Sequence, residues 1–258
     1  MNQTIPQPAP MGLAKLRRAS ETATTSPIIT IYGTPGIGKT TFAAQFPSPI
    51  MLNAEGGLGL LRIDNVPVSS WGDVVSTIDT LGTDHHEWQT LIVDTLDAVE
   101  PLLWDEVSRR NGWKSIETPG YGKGYSEAVD VWRKEFMGRL ANLRDAKNMI
   151  ILLLAHAEAK LYKSPTTEPY DRFKLALNAK AADVLVELSD IVGFANYETF
   201  ARKVDAGMNK HVIGMGDGQR ILHLAERPAF TAKSRYSNVD SIPLDYAAFM
   251  AAISPPQL

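Results

Sequence analysis

The octapeptide Gly33-Thr34-Pro35-Gly36-Ile37-Gly38-Lys39-Thr40 constrains this chain more than any other segment. It fits G-x-x-x-x-G-K-[ST] at every fixed position. The glycines let successive backbone N–H groups turn into one concavity, the shape that cradles the β- and γ-phosphates of a nucleotide. Lys39 brings a point charge to those phosphates, Thr40 a hydroxyl for Mg²⁺, and Thr41 continues a helix whose positive dipole end faces the anion. The segment predicts a nucleotide-binding protein with a strand before the loop and a helix after it.

The flanking sequence supplies both. Ile28–Tyr32 is a β-branched run ending at Gly33, and a helix is expected from Lys39 to about Phe46, where Pro47 and Pro49 stop it. Further strands are predicted at Ile50–Asn53, Leu91–Val93, Met149–Leu154 and Ile191–Phe194. Val129, Trp132, Phe136, Leu140 and Leu143 recur at spacings of three and four and mark a long amphipathic helix with its apolar side in the core. Another helix is expected at Ala179–Leu188. This alternation predicts an α/β fold with a mainly parallel central sheet flanked by helices. Turn signals at Asp205-Ala206-Gly207 and Gly216-Asp217-Gly218 add antiparallel hairpins at its C-terminal edge. One domain over residues 28–250 is expected, after a polar arm at 1–27 and before a short tail at 251–258.

Composition removes several alternatives. The 258 residues include no cysteine, which excludes disulfides, thiolate metal sites and a cysteine nucleophile. The formal charge is −3, so contact with a polyanion has to be local. No apolar run approaches the ~18 residues of a membrane span, and the polar N-terminus lacks the apolar core of a signal peptide. A soluble, cytoplasmic protein with no membrane partner is expected.

Three residues outside the loop carry candidate chemistry. Asp94 closes the apolar strand Leu91-Ile92-Val93, where ligands meet an open α/β sheet; it reads as the acid that holds Mg²⁺, or as a helix cap. Glu55 follows the strand Met51-Leu52-Asn53 and is placed either to activate water or as a surface glutamate in a glycine-rich loop. His156, just past the buried strand, is a candidate hydrogen-bond donor to a γ-phosphate, or a structural histidine. Asp84-His85-His86-Glu87 lacks spaced partner ligands and reads as an exposed loop.

In this order the elements resemble the RecA-like ATPase superfamily over roughly Ile28 to Arg235. Gly33–Thr40 resembles its Walker A loop, Leu91–Asp94 its Walker B strand, Glu55 its catalytic glutamate and His156 its polar γ-phosphate sensor. Lys233-Ser234-Arg235 is similar to the Lys-x-Arg element that, in RadA and DnaB-type helicases, reaches a neighbouring subunit's ATP; a solvated basic turn is the plain alternative. The phrasing looks closest to phage-encoded, Sak-type recombinases. That resemblance implies ATP and Mg²⁺ as cofactors, a homo-oligomeric ring or filament, and single-stranded DNA as ligand beside single-strand binding protein. Within these 258 residues nothing resembles the long C-terminal domain of bacterial RecA, and with no cysteine there is no zinc finger of the RadA kind.

Two segments independently suit single-stranded DNA. Ser108–Ser126 carries Arg109, Arg110, Lys114 and Lys123 against Glu117 alone, with Trp113, Tyr121 and Tyr125 among glycines. Ala159–Leu175 carries Lys160, Lys163, Arg172 and Lys174 with three aromatic residues. Charge follows a phosphate backbone and rings stack on bases; loops whose aromatics pack on the domain are the other reading. The arm adds Lys15, Arg17 and Arg18. A nucleotide or small-molecule kinase, a nucleotide-gated scaffold and a helicase-like factor remain as alternative functions.

Overall fold

The computed structural model describes residues 26–198, 200–206, 209–215 and 218–253. The expected arm up to Thr25 and the tail from Ser254 lie outside the described residues, as do Gly207, Gly216 and Asp217 of the two turn signals.

Strand β1 (Ile28–Gly33) is buried along its whole length. It runs into the glycine loop and then α1 (Lys39–Ala43). The helix is shorter than expected because its end tightens: Gln45 N and Phe46 N donate to carbonyls three residues back, before Pro47 removes a donor. β2 (Pro49–Asn53) and β3 (Asp64–Pro67) follow. Next comes α2 (Trp71–Thr83), opened by a reciprocal Ser70–Asp73 capping box. β4 (Thr90–Asp94) and α3 (Leu96–Asn111) come after it.

The amphipathic stretch is one continuous helical run built from α4 (Lys123–Val131), a wider π-helical turn over Trp132–Met137, and α5 (Gly138–Lys147). Trp132, Phe136, Leu140 and Leu143 are all buried, as their spacing requires. Truncating an aromatic this enclosed costs roughly 3–5 kcal/mol.

β5 (Ile150–Tyr162) is twice the length its apolar run suggests. Its first half lies in the sheet; its second half leaves it as a hairpin with β6 (Tyr170–Leu175). α6 (Ala179–Leu188) occupies the expected residues and leads to β7 (Ile191–Tyr197). β8 (Phe200–Ala206) and β9 (Asn209–Met215) pair antiparallel. The chain closes with β10 (Arg220–His223), β11 (Lys233–Ser234), β12 (Ser241–Pro243) and α7 (Tyr246–Ile253).

The central sheet runs β12-β10-β7-β1-β5-β4-β2-β3. From β7 to β3 all neighbours are parallel, and β10 and β12 add antiparallel strands at one edge. Alternate residues of the inner strands feed two cores. Tyr32, Leu52, Val93 and Leu153 pack under α2, α3, α5 and α6, while Ile31, Met51, Ile92 and Leu152 pack under α1 and α7. Parallel register puts Gly33 beside His156 and Ala195, and Asp94 beside Asn53, so five strands bring these residues to one edge of the sheet.

At the opposite end of the sheet, Asp190 gathers several segments. Its carboxylate accepts from Ile28 N at 2.9 Å and from Arg235 at 2.8 Å, with Arg144 at 3.6 Å. Its own N–H donates to Ile28 O, and its carbonyl accepts from Arg235 N. No helix among the described residues is long and apolar enough to cross a membrane.

Candidate nucleotide-binding site

The loop closes over the end of β1 with Gly38 as the N-terminal cap of α1 at φ 100°, a backbone conformation that suits glycine. Gly33 meets β7 so closely that a Cβ there would stand 2.3 Å from Ala195 O. Lys39 is buried, and its Nζ donates to Gly33 O at 3.1 Å and Thr34 O at 3.3 Å. Burial lowers its pKa from the usual lysine value, partly offset by the nearby carboxylates of Asp94, Asp97 and Glu55.

Thr40 Oγ1 donates to Asp94 Oδ2 at 2.7 Å. Asp94 Oδ1 is buried and has no hydrogen-bond partner among the described residues. Burial raises the Asp94 pKa, and the Thr40 hydrogen bond works against that rise. An orphaned buried carboxylate oxygen is costly unless a donor or a cation meets it.

Glu55 reaches the same cleft from the loop after β2. Asn53, buried at the end of that strand, accepts from Gly56 N at 2.9 Å and so fixes the turn that carries Glu55. Thr95 Oγ1 donates to Glu55 Oε1 at 3.1 Å. His156 is held by Asp97, which lies in the first turn of α3: His156 N donates to Oδ1 at 2.8 Å, and Nδ1 sits 2.7 Å from Oδ2. The same ring nitrogen is 3.4 Å from Glu55 Oε1. Gly36, Gly38, Lys39, Thr40, Thr41, Glu55, Asp94, Thr95 and His156 line one cleft of about 270 Å³.

Asp97 and Arg220 are two neighbours of this site that the sequence reading misses. Asp97 stands three residues after Asp94 with no motif of its own, and only the adjacency of β4 and β5 shows that it faces His156. Arg220 opens β10, and its Nη1 lies 3.5 Å from Ile37 O of the phosphate loop.

The other candidates lie elsewhere. Ser108–Ser126 is not one flexible loop: it is the end of α3, a run of turns and the start of α4. Arg109 and Arg110 pair with Glu106, and Arg110 also pairs with Glu135. Trp113 packs against the core, whereas Lys114, Tyr121 and Lys123 are exposed. Ala159–Leu175 is the β5–β6 hairpin rather than a free loop. On it Arg172 is bound by Glu226 and Thr231, Lys160 pairs with Glu158, Lys174 lies over the Tyr162 ring, and Lys163 is exposed. Lys233 donates to Glu187 O at 3.0 Å on a strand paired with the start of β7, and Arg235 is committed to Asp190; both lie at the end of β7 away from Gly33. In the Asp84–Glu87 segment, His86 bonds Leu81 O and packs on Trp88.

A phosphate loop at the end of a buried strand, an acid on a second strand with one strand between them, and helices on both faces define a P-loop nucleoside-triphosphatase fold. The chain belongs to the AAA domain family, whose model matches residues 25–236. It is also 26% identical over 169 residues to the SPbeta prophage-derived uncharacterized protein YorG of Bacillus subtilis (strain 168). That match takes in 63% of this chain and 50% of YorG, so the chain spans half the length of that relative.

Proposed function

We propose that this chain is a magnesium-dependent, phage-type ATPase of the RecA-like kind that binds single-stranded DNA as a homo-oligomer and promotes annealing or strand pairing. The observation that carries the hydrolytic part is the meeting of two differently held carboxylates in one cleft. Asp94 is buried against Thr40 with an oxygen to spare, and Glu55 stands more open to water on a Thr95 hydroxyl. Oxygen ligands of this kind suit magnesium, which Thr40 Oγ1 and Asp94 Oδ1 would hold. When bound, the ion neutralises phosphate charge.

Lys39 exchanges its bonds to Gly33 O and Thr34 O for phosphate oxygens, and the loop's N–H groups complete the cradle. Glu55 orients a water and accepts its proton at the carboxylate. Asp97 holds His156 by Nδ1 and turns Nε2 outward; with both ring nitrogens protonated, Nε2 would donate to the terminal phosphate. His156 begins the outward half of β5, so the β5–β6 hairpin is the element through which nucleotide state would reach DNA.

For DNA contact the uncommitted cations count most. Lys114, Lys123 and Lys163 are exposed and make no ion pair among the described residues, and Tyr121 is fully exposed. Arg109, Arg110 and Arg172 are already neutralised. A trans-acting role for Lys233 and Arg235, and single-strand binding protein as a partner, rest on the resemblance.

The test is ATP turnover with magnesium, with and without single-stranded DNA, in the wild type and in Glu55→Gln. DNA-stimulated turnover that vanishes in the variant while nucleotide binding persists supports the reading. Transfer of phosphate to a small acceptor instead of water, or no DNA binding by the ATP-loaded Glu55→Gln protein, overturns it.

A further inference from the structure

We propose that Arg220 is a second cationic contact for the phosphate chain of a nucleotide held by the Gly33–Thr40 loop, reaching it from β10 in the same chain. The inference rests on the nucleotide reading of the loop and adds a residue that the loop motif does not contain. Arg220 pairs across β10 and β7 with Tyr197, two residues beyond Ala195, the neighbour of Gly33. β10 therefore delivers its first side chain to the loop itself.

Two observations point to an anion. First, Arg172, Arg227 and Arg235 each hold a carboxylate, whereas no carboxylate lies within 4.0 Å of Arg220 among the described residues. Its one described bond is a long one, 3.5 Å, to the Ile37 carbonyl. A bond of that length is weak, so most of the five N–H donors of a fixed, planar fork remain available to phosphate oxygens. Second, the guanidinium lies against Gly38, where a Cβ would stand 2.4 Å from Nη1. In this position the guanidinium occupies the space that a side chain at residue 38 would take. A charged fork this close to backbone N–H groups that collect phosphate is placed for a charge-assisted, bidentate bond.

The experiment measures equilibrium binding of N-methylanthraniloyl-ATP, with magnesium, to the wild type and to Arg220→Ala, Arg220→Gln, Arg220→Lys and Lys39→Ala, each at several salt concentrations. Expected are a dissociation constant about tenfold weaker in Arg220→Ala and Arg220→Gln, partial recovery in Arg220→Lys, and a shallower salt dependence in the two neutral variants. Melting of the nucleotide-free proteins separates contact from folding. If Arg220→Ala melts early, Arg220→Gln, which can still bond Ile37 O, carries the comparison. Affinity within twofold of wild type in Arg220→Gln, while Lys39→Ala loses binding, overturns the role of Arg220 and leaves the nucleotide site standing. No binding by the wild type overturns both.

Discussion

Asp97 holds His156 at two points, taking the backbone N–H on one carboxylate oxygen and facing Nδ1 with the other, at 2.8 and 2.7 Å. Because a carboxylate only accepts, Nδ1 carries the proton and Nε2 is the ring nitrogen turned outward. The histidine midway along β5 thus has its Nδ1 proton and its ring direction set by the first turn of α3.

Removing that clamp tests whether the orientation matters. Asp97→Ala should lower kcat for ATP roughly tenfold or more while KM changes little, because the lost bonds position a group that acts on the transition state. Steady-state kinetics gives the split. A variant whose early melting accounts for the lost turnover would assign Asp97 to folding instead.

The buried, unpartnered oxygen of Asp94 predicts a metal effect. In the wild type, ATP affinity measured by calorimetry should rise when magnesium replaces a chelator. In Asp94→Ala the two conditions should give nearly the same affinity. A magnesium effect that survives the substitution would move the ion away from Asp94.

Glu100 supplies a pH dependence unrelated to turnover. It is buried on α3 and accepts from Asn178 N with both oxygens, at 3.2 and 3.0 Å, where α6 begins. Burial raises its pKa from the ordinary glutamate value of 4.5 to about 7. Between these values the folded chain keeps a proton that the unfolded chain has released, so stability falls as pH rises through that window. Below 4.5 both forms are protonated, and above 7 neither is. Urea unfolding at pH 5 and pH 8 should show this loss in the wild type and a smaller one in Glu100→Gln.

Gly124→Ala should destabilise the fold without touching the nucleotide. A Cβ at Gly124 would lie 2.0 Å from the Ile116 carbonyl, where the turns after α3 close onto the start of α4. Backbone has to move to admit it, at a cost of about 1–3 kcal/mol. Chemical denaturation should show the loss, with ATP affinity unchanged in the folded protein.

Local patterns carry the parts of this molecule that local patterns can carry. The phosphate loop is contiguous in the chain, the buried strands are continuous apolar runs, and the spacing of Trp132, Phe136, Leu140 and Leu143 places one helical face. The neighbours of the site are different. Asp97 meets His156 only because β4 and β5 are adjacent, and Arg220 reaches Ile37 from a strand 183 residues later. Neither adjacency leaves a trace in spacing. Arg109 and Arg110 show what a reading of isolated charges leaves out. As isolated charges they suit DNA, yet Glu106 precedes them at three and four residues, the interval of an ion pair on a helix that runs to Asn111. The helix end at Gly112 and the capping box at Ser70 are also written locally, as a glycine stop and a Ser-x-x-Asp start.

The Asp190 cluster gives the sheet a fastened end and an open one. Ile28, Arg235 and Arg144 converge on a single carboxylate where β1 and β7 begin, while toward their other ends the same two strands pair Gly33 with Ala195, beside the cleft. The strands behave like the teeth of a comb gripped at the spine. A ligand closing on the free tips shifts loops and side chains there, and the register of the sheet stays where the grip holds it.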